Sequence, residues 1–328
     1  MSPRMDREAF CRQSNVVVVA GKGGVGKTTV TAALARMAAD TGLDVLVVEL
    51  DDAGGLPPLF GWEAAFDYEE AVLYEAHIGA GRVRGRVITP DDALVEYLEE
   101  HGLRRVAKRL VAAGVLEVVA TAIPGIREVL VLGKVKQLER SGAFDLIVLD
   151  APAAGHAVTF LTSALGLMDA ARGGPLRGQA QEVVELLGDP ARCQVMLVCL
   201  PEETPVNELI ETAYRFEDLV GVALAPVVVN AYYPVLSRLL TDPVAAAVAA
   251  KVDPPCHAEA VRLAAAANFR VTRQELQAAQ VARLRAGLPL PQLRLPFEFT
   301  ADLGPEELGK LSEALGTAIE QLSAGDSP

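Results

Sequence analysis

Val16-Val17-Val18-Val19-Ala20-Gly21-Lys22-Gly23-Gly24-Val25-Gly26-Lys27-Thr28-Thr29 sets an apolar run, a glycine-rich turn and a Lys-Thr pair in direct succession. A helical, alanine-rich pattern over Thr29–Thr41 follows. The apolar run suits a strand covered on both faces. Strand, glycine-rich turn, lysine, threonine and helix together make a phosphate-binding P-loop. Gly21, Gly23, Gly24 and Gly26 let the backbone turn and approach a ligand closely. The loop N–H groups, through Val25 and on to Thr28 and Thr29, can converge on phosphate oxygens. The helix N-terminus adds a favourable partial charge. Lys27 is placed to reach the β- and γ-phosphates, and Thr28 offers its hydroxyl to Mg2+.

The same glycines satisfy G-x-G-x-x-G through Gly21, Gly23 and Gly26, with Asp40, Asp44 and Asp51 near the offset of a dinucleotide site. That pattern does not call for Lys-Thr after its last glycine, so the pair favours a nucleoside triphosphate. Carboxylates at strand ends support this choice. Asp150 closes the run Phe144–Asp150, where a carboxylate can hold Mg2+ through water; its alternative is a cap after the strand. Asp51 and Asp52 follow the run Val45–Leu50, and Asp51, at the strand exit, is the candidate to position or deprotonate attacking water and, with Thr28 and Asp150, to hold Mg2+ through water. A solvated loop acid is the alternative there.

Further short apolar runs at Val195–Leu200, Leu224–Asn230 and Leu293–Phe299 alternate with helical segments such as Val206–Val220. This alternation predicts an α/β fold, a doubly wound, mostly parallel sheet with a helical insertion. The insertion is placed at about 60–140, within one domain over 1–328. Inside it Leu73–Ile78 and Val83–Thr89 flank Gly79-Ala80-Gly81 and read as an edge hairpin. Asp91 gives the helix that follows an acidic start. An alanine-rich helical region covers about Val244–Ala286, and Gly304-Pro305-Glu306-Glu307 opens a last amphipathic helix. No internal repeat is found, so one nucleotide-binding half is expected. The ends, 1–14 and 324–328, are expected to be flexible.

Composition excludes several classes. Thirty basic and forty-three acidic residues leave a net charge of −13 over 328 residues. That charge opposes nonspecific attraction to nucleic acid or an acidic membrane. No run approaches a membrane span, so direct insertion is not expected. The polar start Met1–Asn15 does not read as a secretory signal, and a cytoplasmic location is expected. Cys11, Cys193, Cys199 and Cys256 form no C-x-x-C and no zinc spacing. Cys193 and Cys199, six residues apart on one strand, read as core thiols of one sheet face.

Taken in order, GKGGVGKTT at 21–29, VVELDDAGGL at 47–56, PGIRE at 124–128, DAPAAGH at 150–156 and VVVN at 227–230 resemble the ArsA-type ATPases. That family includes arsenite-pump ATPase subunits and the eukaryotic ATPase that targets tail-anchored membrane proteins. It belongs to the deviant Walker A class of P-loop proteins. The resemblance implies ATP as nucleotide, Mg2+ as cofactor, and a dimer in which Lys22 reaches phosphates bound by the opposite subunit. It also implies that Asp51 activates water in switch I, that Asp150 begins switch II, and that Gly155 senses the γ-phosphate. His156 follows Gly155 as in the family. Asn230 corresponds to the residue that hydrogen-bonds the adenine edge, and Pro296 and Phe297 are candidates for lining the base pocket or for the core.

Departures limit what carries over. Switch I reads Asp51-Asp52-Ala53-Gly54-Gly55 where the family has D-P-A-H-S. The zinc pair of the tail-anchor ATPases is absent, and Met1, Met5, Met37, Met168 and Met196 are scattered instead of forming a groove for apolar clients. Arsenite needs several converging thiolates, which this cysteine spacing does not suggest. The leading expectation is an ATP-hydrolysing dimeric switch, with an identical or paralogous subunit, coupled to a protein client or membrane component. A nucleotide-dependent scaffold with weak turnover and a partitioning or cell-division ATPase are the alternatives.

Overall fold

The structure is a computed structural model that describes residues 5–50, 54–77, 79–113, 125–170, 173–234, 236, 242–253 and 255–322. Valine runs without polar alternation form the centre of its sheet. Strand β1 (Val16–Gly21) lies between β5 (Leu146–Ala153) and β6 (Cys193–Cys199), parallel to both. Beyond β5 come β2 (Asp44–Leu50), β4 (Arg82–Ile88) and β3 (Ala71–Glu75). Beyond β6 come β8 (Val227–Tyr232) and β9 (Gln292–Pro296), with the short β7 (Ala223–Leu224) also on β6. All pairs are parallel except β3 with β4. The chain leaves β1 toward one edge and later crosses to the other. Its first turn therefore sits where strand order reverses, a place where α/β sheets bind ligands.

Alternate side chains of each strand feed two cores. One face carries Val17, Val19, Val45, Val47 and Val148. It is covered by α1 (Arg7–Cys11), α2 (Lys27–Asp40) and the last helix, α11 (Pro305–Glu320). Arg7 ties α1 to α11 by ion pairs to Glu313 at 2.8 Å and Glu320 at 2.6 Å. The opposite face carries Val16, Val18, Leu46, Ile147 and Leu149. It is covered by α5 (Ile126–Ser141), α6 (Ala154–Ala170), α7 (Pro175–Gly188) and α8 (Glu203–Leu219). A doubly wound α/β fold is thus observed. Between β4 and α5 lie α3 (Pro90–Glu100) and α4 (Arg104–Ala113), and after β8 come α9 (Pro243–Ala250) and the long α10 (His257–Gly287).

Several expected boundaries move. Helix α2 begins at Lys27, two residues before Thr29, because the loop closes directly onto its first turn. The run Leu224–Asn230 is split into β7 and β8 on either side of Ala225-Pro226. Proline has no N–H for a ladder, and the break sits at that residue. Strand β5 does not stop at Asp150; Ala153 still pairs with Gly21 of β1. The last strand ends at Pro296, leaving Phe297 beyond it. The helix expected from Asp91 is capped by Thr89, whose hydroxyl accepts from Asp92 N–H at 3.2 Å. Asp91 and Asp92 then supply its acidic first turn. The edge hairpin expected within 60–140 forms, and its second strand is joined to β2, so it extends the main sheet.

Two tests follow from this packing. A methyl group on Gly81, in the hairpin turn, would overlap the Ala39 carbonyl oxygen and lie 2.9 Å from the carbonyl carbons of Ala39 and Gly42. Backbone on the other side cannot yield cheaply. G81A is therefore expected to cost ~1–3 kcal/mol in urea denaturation, whereas wild-type stability would show that the hairpin shifts freely. Burial pushes the thiols of Cys11, Cys193 and Cys199 up to about 12, while Cys256 is exposed. Only thiolate reacts readily. A thiol reagent at pH 8 should modify Cys256 quickly in the native protein and all four cysteines only after denaturation.

Candidate nucleotide site

The P-loop bends as its glycines allow. Gly24 and Gly26 hold φ of +80° and +88°, a region that side chains with a Cβ rarely adopt. At Gly26 the restriction is double, because a Cβ there would run into the Asn230 amide. Val25 is buried and anchors the loop's apolar side. Asn230, near the end of β8, donates its side-chain N–H to the Val25 carbonyl at 2.9 Å. The structure thus places Asn230 against the loop backbone, where it braces the turn.

Lys27, Thr28 and Thr29 form the first turn of α2, half-buried. Lys27 lies near its own loop, its ammonium donating to the Lys22 carbonyl at 3.4 Å. Desolvation lowers the Lys27 pKa, and the charge of Asp150 works in the opposite sense. Thr28 donates its hydroxyl to Asp150 Oδ2 at 2.7 Å, and Thr31 lies 3.5 Å from the other carboxylate oxygen. Burial raises the Asp150 carboxyl above its usual range, with Thr28, Lys27 and Thr31 pulling it back. A lysine and a carboxylate are each held here at a desolvation cost. Such a place gains from an added anion at Lys27 and an added cation at Asp150. The hydroxyl and carboxylate are both hard oxygen donors, the set that suits Mg2+.

Lys22, on the rim of the loop, forms an ion pair with Glu208 of α8 at 2.6 Å, and both side chains are 42 % exposed. Asp51, the expected water-activating residue, lies outside the described residues. Glu49, two residues earlier on β2, was not singled out by sequence reasoning. It is 3 % exposed, and its Oε1 accepts from Gly55 N–H at 2.8 Å. Its only sequence signal is an acidic residue inside an otherwise apolar strand.

The first turn of α6 carries Gly155 and His156, both exposed. His156 lines a separate cavity of about 380 Å3 on the opposite face, together with Leu50, Ile88, Arg127 and Phe160. The segment from Asp150 to His156 therefore reaches both faces of the sheet. Pro296 is half-buried at the end of β9. Phe297 stacks edge-on against Tyr233 at 5.1 Å and Phe299 at 4.8 Å. The Arg270 guanidinium lies 4.3 Å from the centre of the Tyr233 ring. This aromatic cluster, found only in three dimensions, follows the same strand ends as Asn230.

Comparison with known proteins agrees with this geometry. A family profile described as anion-transporting ATPase matches residues 14–169, from β1 through α6. The ATPase BagA of Mycobacterium tuberculosis is 34 % identical over 224 residues, covering 66 % of this chain and 65 % of that protein. The ATPase get3 of Schizosaccharomyces japonicus is 27 % identical over 259 residues, 69 % of this chain and 75 % of its own length. The arsenical pump-driving ATPase of Escherichia coli is 29 % identical over 198 residues, 60 % of this chain and 31 % of that protein. The chain spans 65 % of the length of the mycobacterial relatives it matches. With the P-loop, the Asp150 carboxylate and the ordered motifs in one parallel sheet, residues 14–169 of this chain match the family of anion-transporting ATPases.

Proposed function

We propose that this protein is a Mg2+-dependent ATPase acting as a nucleotide-driven dimeric switch. The observation that carries the reading is the 2.7 Å hydrogen bond from Thr28 to Asp150, beside Lys27 at the start of α2. Thr28 and Asp150 would hold Mg2+, Asp150 through water, and Mg2+ would neutralise charge on the phosphates when bound. Lys27 would bind the β- and γ-phosphates, and loop N–H groups from Gly23 to Thr29 would orient them. Asp51, at the exit of β2, would position the attacking water. Asn230, Pro296 and Phe297 would flank the base.

Lys22 would act across the interface between two subunits, identical or paralogous. Its ion pair with Glu208 is surface-exposed and therefore weak, ~0.2–1 kcal/mol, so the side chain is available to a more highly charged partner. Gly155 and His156 would pass the state of the γ-phosphate from switch II to helices on the other face. The readout would be a protein client or membrane component. Among the described residues no helix is long and apolar enough to cross a membrane. A scaffold with slow turnover is the second reading, favoured by Asp51-Asp52-Ala53-Gly54-Gly55 in place of the family's usual switch I.

Single-turnover hydrolysis separates these readings. K27A is expected to lose at least ~10²-fold in rate through lost phosphate stabilisation, and K22A to lose rate while retaining ATP binding. Unchanged hydrolysis in both variants would remove the enzymatic reading, and tight ATP binding without wild-type turnover would favour the scaffold. With ATP, Mg2+ and a transition-state mimic, light scattering should report a dimer; a monomer at all concentrations would sink the switch.

A further inference from the structure

Glu49 is the only acidic residue among the buried polar residues of the described part, at 3 % exposure. Its position in the sheet is specific. Glu49 of β2 pairs in register with Asp150 of β5, and Asp150 pairs with Val19 of β1. Register partners in neighbouring strands share a face, so Glu49 and Asp150 point to the same side. That side is the one from which Thr28 and Thr31 of α2 reach Asp150.

Distances bring Glu49 to the same cation site. The point where a Cβ on Gly55 would sit is 3.7 Å from Glu49 Oε1, 3.8 Å from Thr28 Oγ1 and 3.2 Å from Thr28 Cγ2. Glycine at 55 keeps the space between the carboxylate and the hydroxyl narrow and free of side chain. The Gly55 N–H, donating to Oε1 at 2.8 Å, fixes the carboxylate's orientation. Mg2+ keeps several waters and is bound through one or two carboxylates and phosphate oxygens.

We infer that Glu49 is a further acidic group of the Mg2+ site, holding through water the hydrated cation that Thr28 and Asp150 bind. This rests on the Mg2+–nucleotide reading above and extends it to a residue outside the motif. Glu49 would act as an outer partner that orients a metal-bound water, a role whose removal typically costs about 10–100-fold in metal affinity. The competing role is mechanical: Glu49 simply pins Gly55.

A Mg2+ titration of ADP binding, followed by calorimetry, separates the two roles. E49Q keeps an oxygen able to accept from Gly55 N–H and loses the charge; E49D keeps the charge with a shorter reach. In EDTA all three proteins should bind ADP equally, which reports an intact loop. In E49Q the half-saturating Mg2+ concentration is expected to rise about 10-fold or more, and in E49D by less. An E49Q titration that overlays the wild type overturns the assignment and leaves the ATPase reading standing. Wild-type ADP binding that ignores Mg2+ would overturn both. If E49Q does not fold, the wild-type protein decides: with 13C-labelled glutamate carboxyls, Mn2+·ADP should broaden the assigned Glu49 signal beyond detection, and a sharp Glu49 signal refutes the role.

Discussion

The hydrogen bond from Thr28 to Asp150 joins the first turn of α2 to the strand beside the one that feeds it. Much of the site depends on that joint. It requires β5 to sit directly against β1, which the register of Val19 with Asp150 provides. It also requires α2 to start immediately after the loop, which Gly26 allows by adopting φ of +88°. A helix beginning one turn later would carry Thr28 past the carboxylate. A β1–β5 slip of one residue would turn Asp150 to the opposite core, since strand side chains alternate faces. The parallel sheet therefore acts as a jig: its register sets which carboxylates meet the loop.

The loop is held from three directions with different strengths. Val25 is buried and resists displacement by apolar packing. The Asn230 amide holds the Val25 carbonyl from β8, an uncharged bond worth ~0.5–1.5 kcal/mol. Lys22 is held by Glu208 through an exposed ion pair, the weakest of the three. The order matters for function. The frame of the phosphate cradle stays fixed while the lysine on its rim can exchange partners.

Much of the fold was legible because buried parallel strands write themselves as uninterrupted apolar runs, as at Val16–Val19 and Val45–Val48. The P-loop was legible because its chemistry is local: glycines, lysine and threonine lie within nine consecutive residues. What escaped were relations between distant segments. Nothing local distinguishes Glu208 from other glutamates on α8, yet it meets Lys22 across 186 positions of chain. Asn230 is legible as a ligand contact, but its hold on the Val25 carbonyl is not, because it depends on β8 ending beside Val25. Tyr233, Arg270 and Phe299 assemble around Phe297 only once β8, α10 and the segment after β9 converge. The run Leu224–Asn230 misled because Pro226 interrupts the ladder without interrupting the apolar pattern.

The departure of switch I from the family pattern takes on a different meaning beside Glu49. Read along the chain, Asp51-Asp52-Ala53-Gly54-Gly55 has simply lost side chains. Read across the sheet, the strand leading into it carries a buried carboxylate in register with Asp150, and Gly55 is bound to that carboxylate at 2.8 Å. The glycine is then part of the arrangement, since a side chain at 55 would press on Thr28. On the proposal above, a divalent cation shared with Thr28 and Asp150 would sit on the same rim. The short side chains of the loop and the buried acid of the strand can therefore be read as one arrangement, in which the missing bulk at 55 leaves room beside Thr28.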